Sequence, residues 1–267
     1  MAHFWNPSHP IAPQTQRMLG VGAVVAVLVA WALVSASGLV SSNRLPAPWE
    51  VATAFYRLAW DPVRQESLLL TSVLWSGGRL VVAGILVILI GLPIGILMGA
   101  SPRINATLSP LIDPFRSAPI VALLPIMVMW FGIGEEMKIF FLFSGAVVYL
   151  IPLVRDAIRS VPQSYWVSAR DLGATPWECI RRAVIPMAMP RIVDGIIIAV
   201  SVMWTYITVA EYVNAKEGLG QLIQNARRFS AMDQVFAGII TIIALALITH
   251  RLMTWAKRKM FPWESTV

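Results

Sequence analysis

The sequence predicts an all-α integral membrane protein of about six transmembrane helices, with a structured helical loop on one face. Three observations predict it. Of 267 residues, 57% are hydrophobic and only 13% are charged, where soluble domains carry roughly 25% charged residues. The apolar residues fall in runs long enough to cross a bilayer, a crossing that takes about 20 residues. The runs do not alternate as the strands of a membrane β-barrel do. With a mean hydropathy of +0.70, a chain of 29.4 kDa buries too little surface to hide that much apolar side chain in a water-soluble core. An ordinary soluble enzyme, a disordered chain and a nucleic-acid-binding module are excluded. The single cysteine, Cys179, excludes a disulfide scaffold and a cysteine-rich metal site.

The first span is 19–40, a charge-free run of 22 residues. A signal-peptide core of about 7–15 residues would be shorter. The second is 80–100, extending as helix outward from about Glu66, with Arg79 near the interface. Gly84, Gly91, Gly95 and Gly99 share one face of it, and small residues let helix backbones approach closely in lipid. The third span, 117–134, is short and interrupted by Pro119 and Pro125; the fourth, 138–153, has Pro152 near its end. The fifth is 195–213 and the sixth 235–254. Helix is required, because backbone groups in lipid must pair within their own segment. The whole chain, 1–267, reads as one transmembrane domain.

Six spans place both termini on one side, and Lys/Arg asymmetry chooses the side. With the N-terminus inside, the inner segments hold 13 Lys/Arg and 6 acids, whereas the outer segments hold 8 of each. The excess charge therefore lies wholly inside. Topology explains the pI of about 10.1, and nucleic acid is not needed. Lys257-Arg258-Lys259 reads as an anchor at the inner leaflet lipid.

The longest inner loop has its organised part at about 160–190. Residues 164–172 form a short helix ending at Gly173, which suits a left-handed position after a helix. Thr175 then fits an N-cap and Pro176 the first helical position, with Glu178 placed to close a capping box. A second helix follows and stops near Pro186, with Pro190 just beyond. The loop is a surface structure or a docking element for a soluble partner.

Several chemistries have no residues to support them. There is no Gly-x-x-x-x-Gly-Lys-Ser/Thr phosphate loop, no His-Glu-x-x-His helix and no Gly-x-Ser-x-Gly elbow. His3, His9 and His250 are too dispersed to share a metal, so no metal site is expected. No basic residue sits at the middle of a span, which argues against a voltage sensor or a buried-charge proton relay.

The loop carries a resemblance. Val167-Ser168-Ala169-Arg170-Asp171-Leu172-Gly173, then nine residues, then Ala183-Val184-Ile185-Pro186, resembles the EAA loop of ABC-importer permeases. That pattern is Glu-Ala-Ala, three residues, Gly, nine residues, Ile, one residue, Leu-Pro. Ala169, Gly173 and Pro186 match it in register. Val167 replaces the Glu, Ser168 the first Ala, and Ala183 and Ile185 the Ile and Leu. Pro125 to Glu135 with Lys138-Ile139, and Ala210-Glu211 with Gly218-Leu219-Gly220, look like segments of the nitrate/sulfonate/taurine/bicarbonate permeases. The matches extend from about Thr71 to Ala237.

The resemblance implies a type I ABC-importer permease in the bacterial cytoplasmic (inner) membrane, with both termini cytoplasmic. Its partners would be an ABC ATPase dimer, a second permease chain identical to this one, and an external or lipid-anchored substrate-binding protein. The chain would bind no cofactor; ATP and Mg would sit on the ATPase. Ser168, Ala169, Arg170, Asp171, Leu172, Gly173, Ala174, Thr175, Pro176, Glu178 and Pro186 would form the element that couples to it. The implied function is passage of a small solute, an anion such as nitrate, sulfonate, taurine or bicarbonate. A thiamine-precursor pyrimidine or riboflavin is the alternative solute. The chain would not itself be an enzyme. A self-sufficient secondary carrier or channel is the rival class, and the inverted repeats that such carriers show are not evident.

Candidate pathway residues are Arg79, Trp130, Phe131, Ser201, Trp204, Thr205 and Glu211, with Tyr206 beside them. Trp130 and Phe131 line a gate or belong to an interfacial aromatic belt. Arg79 either snorkels to the interface or attracts an anion. Glu211 either pairs with Arg79 or holds the 218–220 turn.

Overall fold

A computed structural model describes residues 12–60, 67–213 and 215–266. His3, His9 and Glu66, which figured in the sequence reading, lie outside the described residues. The described residues contain helices and turns and no strand. In order these are α1 (Pro13–Ala36), α2 (Pro48–Ala59), α3 (Leu68–Ala100), α4 (Pro102–Ile112), α5 (Leu124–Phe131), α6 (Glu135–Arg159), α7 (Gln163–Asp171), α8 (Pro176–Cys179), α9 (Ile185–Tyr212), α10 (Leu219–Arg228) and α11 (Met232–Met260).

Five helical stretches among the described residues are long and apolar enough to cross a membrane, and the number is six if the bent pair 102–116 and 120–131 counts as one span. Both described termini and α7–α8 fall at one end of the bundle, called here the loop end; the opposite end is the far end. The first span starts and ends a few residues earlier than expected, at Pro13 and Ala36. Pro13 opens the helix, and Gly38 turns the chain away with φ +71°.

The third span differs most from the expectation of 117–134. Residues 102–116 and 120–131 meet at 94°, and the second arm is a 3₁₀ turn, Ile120–Leu123, leading into α5. The cause is Pro119, because a residue that precedes proline is pushed out of the helical region. Gly132, with φ +70°, ends α5.

The loop's second helix also departs from expectation. It does not stop near Pro186. A single helical path runs from Pro176 to Tyr212, 37 residues, through a π-helical stretch at Ile180–Val184. A proline ring inside an α-helix clashes with the carbonyl four residues back, here Arg182. Widening the turn, so that the Ile185 N–H donates to the Ile180 carbonyl, gives that carbonyl room, and the helix continues. Pro190 sits buried inside α9.

The core is a three-helix sandwich of α3, α6 and α9. Val87 of α3, Phe141, Leu142 and Leu150 of α6, and Ile192, Met203 and Ile207 of α9 are buried in it. The glycine face predicted on the second span is the contact surface. A Cβ on Gly95 would lie 2.6 Å from Val154 Cβ and 2.9 Å from the Ile151 carbonyl. One on Gly99 would meet Ile158 at 2.6 Å, and Gly91 faces Leu150 and Val147. Gly84 instead faces Met203 of α9 at an ordinary 3.4 Å. At the loop end Lys257 ties α11 to Asp194 of α9 at 2.7 Å and to Glu264 of the C-terminal segment at 2.8 Å.

Candidate functional site

Two constructions stand at opposite ends of the bundle. At the loop end, α7 closes with a Schellman pattern. The Gly173 N–H donates to the Arg170 carbonyl at 2.9 Å, and the Ala174 N–H donates to the Ala169 carbonyl at 3.1 Å. Gly173 takes φ +84°, a conformation that a Cβ disfavours. Thr175 caps the next helix: its hydroxyl accepts from the Glu178 N–H at 3.3 Å. The Glu178 carboxylate accepts from the Thr175 N–H at 2.9 Å and from the Thr175 hydroxyl at 2.8 Å. These bonds, the backbone one first, hold the Glu178 carboxyl below the ordinary carboxylate range. Pro176 takes the first helical position. Cys179 is buried beneath the turn.

A turn closed this way fixes the angle between α7 and α8. Around it Tyr165, Val167, Leu172 and Trp177 are exposed, Leu172 at 89%. Ser168, Arg170, Asp171 and Pro186 are exposed too, while Ala169 and Ala174 are half-buried. The result is a rigid knuckle with an apolar crown.

At the far end Arg79 is drawn into the protein and is 3% exposed. Its Nη1 donates to Glu211 Oε1 at 2.6 Å and to the Glu217 carbonyl at 2.8 Å. Its Nε and Nη2 donate to the two oxygens of Glu135. Trp75 lies against the guanidinium, 5.6 Å from ring centroid to Cζ. Glu211 is fully buried and satisfied by three donors: Arg79, the Ser76 hydroxyl at 2.7 Å and the Gly220 N–H at 2.7 Å. Both sequence readings of Glu211 therefore hold at once: it pairs with Arg79 and it holds the 218–220 turn. The cluster joins α3, the start of α6, the end of α9 and the start of α10. A buried charge left unpaired would cost several kcal/mol, so Arg79 and Glu211, both buried, depend on each other.

Sequence reasoning did not place Ser76, Glu135 and Lys138 among the site residues, although Glu135 and Lys138 lie in a segment that carried the family resemblance. Lys138 is 2% exposed and donates to Glu135 Oε1 at 2.7 Å; Ser76 bridges Glu211 and the Leu219 N–H. The spacing of Glu135 and Lys138, three apart at a helix start, was the available signal.

The other pathway candidates divide. Ser201, Trp204 and Thr205 come together with Thr208 along a groove of 300 Å³ between α9 and α11. The Ser201 and Thr205 hydroxyls turn back to carbonyls of their own helix, and the buried Trp204 Nε1 has no acceptor among the described residues. Trp130 is 70% exposed at the end of α5, and Phe131 packs against Phe140 with tilted rings, centroids 4.6 Å apart. Neither touches the groove. Tyr206 is a packing residue, edge-on to Phe141 at 5.7 Å.

Residues 91–262, covering α6 to α11 and the knuckle, match the family described as binding-protein-dependent transport system inner membrane component. The chain belongs to this family. The permease is 32% identical over 252 residues to the taurine transport system permease protein TauC of Escherichia coli K12, covering 94% of this chain and 92% of that one. It is 29% identical over 249 residues to the putative aliphatic sulfonates transport permease protein SsuC of Bacillus subtilis 168, covering 93% and 88%. Among solved structures, an inward-facing form of the MetNI methionine ABC transporter superposes with TM-score 0.61 at 26% identity, covering 72% of the permease and 94% of that chain. The permease is thus a multi-pass, all-helical ABC-importer subunit, a transport component rather than a catalytic one.

Proposed function

We propose that this permease carries a small sulfonate, of the taurine or alkanesulfonate class, across the bacterial cytoplasmic membrane. The observation that supports the solute class is the relation to the taurine permease along nearly the whole of both chains. We further propose a pore of two identical chains, each docked through its knuckle to one subunit of an ABC ATPase dimer. ATP and Mg belong to the ATPase, and a substrate-binding protein loads the far end. In this arrangement the loop end and both termini face the cytoplasm, in keeping with the excess of Lys/Arg there. The apolar crown of Leu172 and Trp177 suits a cleft in a soluble partner, and the double cap gives the stiffness that a transmitting contact needs.

The test is reconstitution. The chain is purified with its ATPase and binding protein, placed in liposomes, and assayed for ATP-dependent uptake of taurine, ethanesulfonate, nitrate and a thiamine-precursor pyrimidine. Uptake of a sulfonate at the lowest concentration supports the reading. Preference for the pyrimidine overturns the solute class, and uptake by the permease without ATP overturns the partnership.

A further inference from the structure

The four charges of the cluster are not equivalent; Lys216 and Glu217, which line the cavity above it, are exposed. Glu211 is fully buried and satisfied by three donors. Glu135 has a side chain that is 43% exposed, although the two cations it neutralises, Arg79 and Lys138, are each 3% exposed. Lys138 has Glu135 as its acceptor, and an ammonium carries three donors. A cavity of 460 Å³ lies over the group, lined by Trp75, Ile133, Arg79, Glu135 and Lys138 among others. That volume falls within the roughly 300–1,000 Å³ usual for small-molecule sites.

We propose that Arg79 and Lys138 form a docking site for the anionic head of the solute, and that the Glu135 carboxylate is an internal stand-in which the solute displaces. The proposal rests on the sulfonate reading above. With Glu135 in place, the charges of Arg79, Lys138, Glu135 and Glu211 sum to zero. With Glu135 turned out to solvent, the buried cations outnumber the buried anions by one. A sulfonate restores neutrality with one charge, and its oxygens accept from the same donors that Glu135 used. Exchange of one anion for another keeps the cluster from holding an uncompensated charge. Glu211 remains and keeps Arg79 anchored, while Trp75 and Ile133 offer apolar walls to a short carbon chain. Glu135 is the first residue of α6, directly after Gly134, so a change of side-chain rotamer is enough to open the site.

The experiment uses the detergent-solubilised complex of permease and ATPase, without the binding protein, titrated with radiolabelled ethanesulfonate at fixed ionic strength. Glu135→Gln removes the internal competitor and should tighten binding about tenfold; Lys138→Gln should weaken it by about as much. Unchanged or weaker binding by Glu135→Gln, in a complex that still holds its ATPase, overturns the proposal. If Glu135→Gln does not assemble, Glu135→Asp, one methylene shorter, should tighten binding by a smaller factor, and no change overturns the proposal. Displacement by chloride as readily as by unlabelled ethanesulfonate marks adventitious charge binding and also overturns it. Wild-type uptake of sulfonate separates the two readings. Uptake without any effect of Glu135 removes the docking site alone, and absence of both uptake and binding removes the solute class as well.

Discussion

At Gly173 the demand is on the backbone. The residue sits at φ +84° with open space around its Cα, so a substitution meets no neighbour and fails only through its own conformation. A β-branched side chain there should cost about 1–2 kcal/mol and reshape the turn. Gly173→Val should insert into the membrane normally but lose ATPase on co-purification; undiminished recovery of the ATPase would show that the turn does not set the docking. Arg79 makes the opposite demand, through its partners. Arg79→Ala strands Glu211 in the interior and should cost about 3–5 kcal/mol, seen as a large fall in the melting temperature of the solubilised chain. Pairing Arg79→Met with Glu211→Gln should recover part of it, since no charge is then stranded at residue 211, the amide oxygen still accepts from the Gly220 N–H, and the amide NH2 can donate to the Ser76 hydroxyl oxygen. Equal damage in the single and double variants would assign the loss to packing. These local features differ in how visible they were beforehand. The caps at Gly173 and Thr175 were legible because every participant lies within a few residues. Of the charge cluster only the pairing of Arg79 with Glu211 was within reach as one of two readings, because residues 76, 79, 135, 138 and 211 meet only once three helices have packed.

Among the elements, α3 and α6 meet at a close joint, with Gly95 and Gly99 both facing α6. Adding a methyl at Gly95 drives it against the Ile151 carbonyl, which has no rotamer to escape into. Gly95→Ala should therefore destabilise by about 1–3 kcal/mol, whereas Gly84→Ala, facing the flexible end of Met203, should be close to neutral. Thermal unfolding in detergent compares them directly, and equal melting temperatures would remove the close approach as a source of stability. The spacing of these glycines made the packing face readable from the sequence. The two prolines after the knuckle misled in the other direction. Pro186 has the signature of a helix stop, and only the i→i+5 bonding at residues 180–184 lets the helix pass it. A rule about α-helices has no place for that exception.

Over the whole molecule, each of the five long apolar helices contains a run that is readable in the sequence, since each run is read within itself. The bend at Pro119 and the burial of Lys138 depend on what surrounds them. The sidedness remains a prediction with a direct check. With Cys179 replaced by Ala, single cysteines at Leu172 and at Phe229, both exposed at opposite ends, should react with a membrane-impermeant maleimide from opposite faces. Leu172→Cys should label only after the cells are opened, and Phe229→Cys in intact cells. The reverse pattern would invert the topology, and labelling of both from one face would break the six-span arrangement.

The unbroken path from Pro176 to Tyr212 has a mechanical meaning. Its 37 residues, at about 1.5 Å each, make a rod about 55 Å long, with the knuckle at one tip and Glu211 at the other. Pivoted near its middle, a tilt of about 5° sweeps each tip through about 2.4 Å, given that length. That stroke rivals the 2.6 Å between Arg79 and Glu211. A partner that nudges the knuckle by the width of a hydrogen bond can therefore strain the ion pair on the other side of the membrane with no intermediate part moving separately.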